Sequence, residues 1–115
     1  MRRKMTTLGN NIGGRVRIGW TTLPTHEGAC EFARAMVEAG LVACAQVSGP
    51  IASFYRWEDR LCHEDEWRVT LKFASGKAEL VTTWLKAHHP YTVPQWIAVD
   101  AAQASMEYLA WVMET

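Results

Sequence analysis

Residues 41–73, LVACAQVSGPIASFYRWEDRLCHEDEWRVTLKF, decide the fold of this 115-residue chain. Apolar and polar residues alternate strictly over 66–73, which is the two-residue period of a strand with one buried face. A second long apolar run precedes this strand, interrupted at Gly49-Pro50 and followed by a polar turn around Asp59-Arg60. We therefore predict a long β-hairpin with a bulge or bend at Gly49-Pro50.

Helical periodicity flanks this hairpin on both sides. An apolar stripe between the N-cap residue Thr25 and Gly40 predicts a first helix, and a second helix runs from Ser75-Gly76 to Pro90. The stripe of the second helix comprises Leu80, Val81, Trp84, Leu85 and His88. The other predicted elements are a first strand with Val16, Ile18 and Trp20 on one side, a short strand at 95–99 and a closing helix at 105–113.

The predicted order of elements is β-α-β-β-α-β-α. The first six form the ferredoxin-like arrangement of the α+β class, an antiparallel sheet with two helices on one face. In this arrangement no helix covers the other face of the sheet. We predict a flexible N-terminal tail at 1–13 and a single domain at 14–115, which matches the usual size of a domain.

The composition argues against several classes of function. The chain has 12 lysines and arginines and 12 aspartates and glutamates, so its net charge is zero. No excess of positive charge favours binding to nucleic acid or to an anionic membrane. No run of about 18 apolar residues predicts a membrane span. The three cysteines form no CxxC pair, which favours reduced thiols in the cytoplasm over disulfides or a zinc knuckle.

Both faces of the predicted hairpin carry large apolar side chains. Tyr55 and Trp57 share one face, Phe54 lies on the other, and Trp67 lies on the opposite strand. A protruding hairpin of this kind exposes apolar patches and unpaired edges, which a neighbouring copy of the chain can cover. We therefore predict self-association through Tyr55, Trp57 and Trp67, although a hairpin folded back on its own domain is the alternative.

Three segments resemble the CutA divalent-cation tolerance family. They are Leu-Val-Ala-Cys-Ala-Gln-Val with Ser-Phe-Tyr-Arg-Trp-Glu at 41–58, His-His-Pro-Tyr-Thr-Val-Pro at 88–94, and Tyr-Leu-Ala-Trp at 108–111. The chain departs from the family pattern at Asp59, where a glycine is usual, and at Trp20, which stands in the region of a first-strand cysteine. The resemblance covers about residues 15–113.

The resemblance implies a ferredoxin-like homotrimer linked to tolerance of copper and other divalent cations. It implies no catalytic activity and no organic cofactor, and the sequence contains neither a P-loop nor a nucleophile elbow. Weak binding of Cu(II) or another divalent cation is expected, and the downstream protein partner is unknown. The alternative function is a module of the PII type that binds a small molecule or an anion in clefts between subunits.

His88 and His89 match positions that are assigned to copper in the family, and imidazoles suit Cu(II). A structural role is the alternative for each: His88 continues the apolar stripe of its helix, and a protonated His89 suits a helix C-terminus. Cys44 matches a common family cysteine and is a candidate soft ligand, although a lone strand cysteine is usually a small buried hydrophobe.

Glu66, Lys72 and Tyr91 are the candidate residues for a cleft between subunits, because related trimers hold ligands there. Cross-strand pairing and solvent exposure explain the same residues without a ligand. These alternatives stay open on the sequence alone.

Overall fold

The computed structural model describes residues 14–115, and the predicted tail at 1–13 lies outside the described residues. The fold is the predicted α+β, ferredoxin-like one, with a C-terminal helix. The elements are β1 Val16–Leu23, α1 His26–Glu38, β2 Cys44–Trp57, β3 Arg60–Ala74, α2 Ala78–His88, β4 Ile97–Asp100 and α3 Met106–Glu114. None of the helices in the described part of the chain has the length and apolarity needed to span a membrane.

The four strands form one antiparallel sheet in the order β2-β3-β1-β4. Alternate residues of β3, namely Val69, Leu71 and Phe73, are fully buried on the face that carries α1 and α2, which we call the helix face. Met36 of α1 and Leu85 of α2 pack into the same cluster. The strict alternation of the sequence therefore becomes one buried face of β3, as predicted.

The other face of the sheet, which we call the second face, is partly covered by α3. Val16 of β1 points to this face and packs with Ala43 and with Val112 of α3. The prediction that no helix covers this face was therefore wrong at one end of the sheet. The closing helix is apolar enough to bury one side, and the second face offers the apolar surface that it needs.

The β2–β3 hairpin is long and turns sharply. Its register shifts between Ser48 and Ile51, which confirms the predicted bulge at Gly49-Pro50. The turn consists of Glu58 and Asp59, both with positive φ, so Arg60 already belongs to β3 and the predicted turn was wrong by one residue. Two positive φ angles in a two-residue loop match the strand twist, as in type I′ turns.

The helix ends follow the sequence signals closely. The side chain of Thr25 accepts a hydrogen bond from the amide of Gly28, and Gly40 has the positive φ expected after the end of α1. The predicted stripe of α2 was wrong at its two ends, because Leu80 is 60% exposed and His88 is exposed as well. Only Val81 and Leu85 of α2 are fully buried, since the sheet lies under the middle of the helix.

Candidate functional site

A groove of about 720 Å³ lies between the hairpin and the segment at 90–95 that follows α2. The hairpin contributes residues of the second face, because Ser53 lies opposite Glu64 and Tyr55 lies opposite Cys62 in the strand register. The lining residues include Thr22, Ser53, Tyr55, Trp57, Glu64, Glu66, Tyr91, Val93 and Gln95. The groove is therefore apolar in part and carries two carboxylates.

Tyr91 and Glu66 form the polar pair inside this groove. The Tyr91 hydroxyl donates to Oε2 of Glu66 at 2.7 Å, and Glu66 is only 8% exposed. Burial, helped by this hydrogen bond, raises the pKa of Tyr91. The tyrosine therefore stays protonated and supplies the donor that a buried carboxylate needs.

Tyr55 and Glu64 form a second tyrosine–carboxylate pair nearer the tip of the hairpin. The Tyr55 hydroxyl donates to Oε1 of Glu64. This hydrogen bond raises the pKa of Tyr55 to about 12. Each of the two carboxylates in the groove therefore already accepts a hydrogen bond from a tyrosine hydroxyl.

His89 is buried beneath the same segment, with both ring nitrogens in use. Nε2 lies 2.9 Å from the carbonyl oxygen of Thr22 and 3.0 Å from Oγ1 of Thr21. Since a carbonyl only accepts, Nε2 carries the proton, and Nδ1 then accepts from the amide of Tyr91 at 3.1 Å. Burial lowers the pKa of His89, so the ring is neutral and structural.

His88 is the exposed member of the pair. Its ring stacks on Trp84, with centroids 4.0 Å apart, and its Nδ1 donates to the carbonyl oxygen of Trp84 at 2.8 Å. Nε2 is therefore the nitrogen with a lone pair for a ligand. His88 is therefore not the core histidine that its place in the helix stripe suggested. His89 is structural, but as a buried neutral ring and not as a protonated one at the helix end, because it adopts extended φ and ψ there and turns inward.

Cys44 and Lys72 lie opposite each other on β2 and β3, on the second face. Nζ of Lys72 donates to Oε1 of Gln46 at 3.1 Å. Six residues of β3, or about 20 Å, separate Lys72 from Glu66. Within one chain, therefore, the structure brings Glu66 and Tyr91 together but does not bring Lys72 to them.

The three predicted metal ligands are likewise not assembled within one chain. Cys44 lies on the second face, whereas α2, which ends at His88, packs on the helix face. Residues 14–115 contain no group of three or more histidine, cysteine, aspartate or glutamate side chains placed to hold one ion. Any metal bound at His88 needs ligands from water or from another chain.

Comparison with known proteins places the chain in a family. A family model described as CutA1 divalent ion tolerance protein matches residues 17–115. The chain belongs to the CutA family. The resemblance seen at 41–58 and 88–94 is therefore confirmed across nearly all of the described chain.

CutA relatives of known sequence and structure are similar over most of this chain. The divalent-cation tolerance protein CutA of Thermus thermophilus is 34% identical over 81% of this chain and 90% of its own length. Human protein CutA is 32% identical over 90% of this chain, but the match spans only 58% of the human protein. The crystal structure of CutA1 from Ehrlichia chaffeensis superposes with a TM-score of 0.84 at 30% identity, covering 89% of this chain and 95% of that one.

The three aromatic residues predicted at a subunit interface differ in their surroundings in this CutA-family chain. Tyr55 and Trp57 lie on the second face of the hairpin and are 38% and 46% exposed. Trp67 lies on the helix face and packs against the core of its own chain. Their role in an interface stays a prediction.

Sequence reasoning missed the segment at 92–95 and Glu64 as parts of the groove in this CutA-family chain. The segment is held at its far end by Trp96, whose Nε1 donates to Oγ1 of Thr82 at 2.9 Å. The ring of Trp96 also rests on Gly19, where an added Cβ would come within 2.4 Å of it. A glycine in the middle of a predicted strand was the available signal for this close approach.

Proposed function

We propose that this chain works as a cytoplasmic, non-catalytic homotrimer in tolerance of divalent cations. The observation that carries this proposal is membership of the CutA family over residues 17–115, with relatives that are named for divalent-cation tolerance. The fold supports the self-association in this proposal, because the hairpin exposes apolar side chains that other copies of the chain could cover.

The trimer is supported by the outer half of the hairpin. Within the described chain, residues 60–66 of β3 pair only with β2, since β1 reaches β3 no further than Trp67. An isolated two-stranded ribbon is marginally stable in water. Phe54, Tyr55, Trp57 and Leu61 lie on this part and are all exposed. Neighbouring subunits would cover these side chains and pair the free strand edges.

Weak metal binding is proposed at the end of α2, with His88 as the leading ligand for Cu(II) or another divalent cation. The support is its exposed ring and the Nε2 lone pair left by the hydrogen bond of Nδ1 to Trp84. His89 would have to give up its contacts to Thr22 and Tyr91 to join. For Cys44 to bind a metal ion, the other ligands would have to lie on the second face, and some of them would have to come from another subunit.

Calorimetric titration with Cu(II) tests this metal site. We expect His88→Ala to reduce the heat of binding, whereas the matched variant Lys86→Ala, on an exposed position of the same helix, leaves it unchanged. Circular dichroism checks that both variants fold. Unchanged heat in His88→Ala would remove His88 as a ligand.

A small-molecule function is the second candidate, and the groove favours it. A volume of about 720 Å³ lies within the range of ligand pockets. Of the two ligand classes considered, a small molecule or an anion, the carboxylates of Glu64 and Glu66 favour a small molecule with hydrogen-bond donors or positive charge. A thermal-shift screen should then find a ligand whose stabilising effect is lost in Glu66→Gln and kept in Lys72→Ala. A ligand whose effect is lost in Lys72→Ala and kept in Glu66→Gln would instead favour an anion.

A further inference from the structure

The first two turns of α1 carry a cysteine and a histidine that neither the fold nor the proposed function uses. His26 is the first residue of α1, Cys30 lies four residues later, and both are exposed. Residues at this spacing are neighbours on one side of a helix. Two side chains that can both bind metal are therefore presented together to solvent, far along the chain from His88.

The distance between the two donor atoms suits a shared ion. Sγ of Cys30 and Nε2 of His26 lie 3.6 Å apart. In a tetrahedral site with Zn–S near 2.3 Å and Zn–N near 2.0 Å, the sulfur and nitrogen atoms are about 3.6 Å apart. The pair is thus already at the separation that one tetrahedral ion requires, and binding needs no movement of the helix.

The surroundings hold this geometry. The His26 ring meets Trp67 edge-on, with centroids 6.4 Å apart. Trp67 in turn packs tightly at the bulge, where an added Cβ on Gly49 would lie 2.7 Å from its ring. The imidazole therefore rests on a supported surface, so less conformational entropy is lost when an ion binds.

We propose that His26 and Cys30 form a two-ligand site for a divalent cation of the Zn²⁺ class. Thiolate and imidazole ligands select such borderline ions over Mg²⁺ and Ca²⁺, which require oxygen. Glu27 and Glu31 flank the ligands along the helix and make the local charge negative before the cation arrives. Because no third histidine, cysteine or carboxylate joins the pair within the described residues, water completes the coordination and the ion stays exchangeable.

Titration with Co²⁺, a spectroscopic substitute for Zn²⁺, tests the site in the full chain under metal-free reducing conditions. The background is Cys44→Ser with Cys62→Ser, which leaves Cys30 as the remaining cysteine of the three. We expect thiolate-to-cobalt charge-transfer absorption that saturates at one Co²⁺ per chain. Cys30→Ser should abolish this absorption. His26→Ala should weaken binding by roughly tenfold or more, because loss of a ligand costs at least as much as loss of a residue that only orients one.

Matched variants separate this site from other ligands. His63→Ala is the histidine control, because His63 stacks on Phe54 near the hairpin tip, four residues of β3 and about 13 Å beyond Trp67, and it should change nothing. Cys30→His should keep Co²⁺ binding, measured by calorimetry, while it loses the charge-transfer absorption. His88→Ala should leave the absorption intact. A negative result for the metal site proposed at the end of α2 would therefore not count against the site at His26 and Cys30. Absence of the charge-transfer absorption in the background that keeps Cys30, or binding that is unchanged in His26→Ala, would overturn the proposal.

Discussion

At the scale of single residues, the chemistry of His89 is decided by what each ring nitrogen touches. Nε2 donates to Thr22, and Nδ1 accepts from Tyr91, so protonation of Nδ1 would break a hydrogen bond inside a buried site. The ring therefore joins the end of β1 to the segment at 90–95. Sequence reasoning identified the two adjacent histidines but could not tell which one was buried, because that depends on where α2 ends.

The first prediction concerns the protonation of His89. We expect its pKa to lie below the ordinary 6.5 because burial disfavours the imidazolium. Since the unfolded state then binds the proton more readily, this residue lowers the free energy of unfolding as the pH falls below about 6.5. Nitrogen NMR of the ring should show the neutral form with the proton on Nε2, and the non-titrating variant His89→Gln should lose that part of the pH dependence. A normal or raised pKa would contradict this assignment.

The second prediction concerns the tyrosine that partners Glu66. Tyr91→Phe removes the donor and leaves a buried carboxylate with one fewer hydrogen bond, which should reduce the free energy of unfolding by about 1–3 kcal/mol. Tyr55→Phe is the matched control, because its Glu64 is exposed and can turn to water instead, so the change should be smaller. Urea unfolding measures both, and equal losses would show that burial of Glu66 is not the cause.

At the scale of secondary-structure elements, the hairpin was the most predictable feature. Alternation over 66–73 determined its buried face, and Gly49-Pro50 marked the bulge. The stripe of α2 could not be predicted fully, because periodicity gives the direction of a helix face but not how far the sheet extends beneath it. For this reason Leu80, in register with buried residues, is exposed.

The third prediction concerns the two-residue turn of the hairpin. Asp59 has φ 61°, a left-handed conformation that is unfavourable for a residue with a side chain and free for glycine. Asp59→Gly should raise the free energy of unfolding by about 1 kcal/mol. Gly40→Ala is the inverse control: Gly40 has φ 72° and open space around it, so the substitution should lower stability by about 1 kcal/mol. No gain in Asp59→Gly would mean that the aspartate side chain itself stabilises the turn.

At the scale of the whole molecule, the hairpin gives the chain an elongated shape. Its longest dimension is 51 Å against 25 and 24 Å for the others, and 15 residues of β3 extended span about 50 Å. The sequence predicted that this ribbon needs cover, and the family resemblance named Glu66 and Tyr91 as residues of a cleft between subunits, but a groove within one chain could not be predicted. It depends on how the segment at 90–95 passes the end of β1, which no local pattern specifies.

The fourth prediction concerns assembly. Native mass spectrometry at micromolar concentration should show a species of three times 13.0 kDa. The double variant Tyr55→Ser, Trp57→Ser should shift it toward smaller species because it removes apolar area from the hairpin. Leu80→Ser is the control, since Leu80 is exposed on α2, away from the hairpin, and should leave the mass unchanged. A monomer for the parent chain would contradict the proposed trimer.

The fixation of the segment at 90–95 has a consequence for recognition. One end is anchored through His89 to Thr22, and the other through Trp96 to Thr82 and the bare backbone at Gly19. One wall of the groove is thus held at both ends, whereas the facing wall is the outer half of the ribbon, in which, within residues 14–115, β2 and β3 pair with each other alone. A change in the width of the groove would therefore require the ribbon to bend, so a neighbouring subunit that holds the ribbon would also set that width.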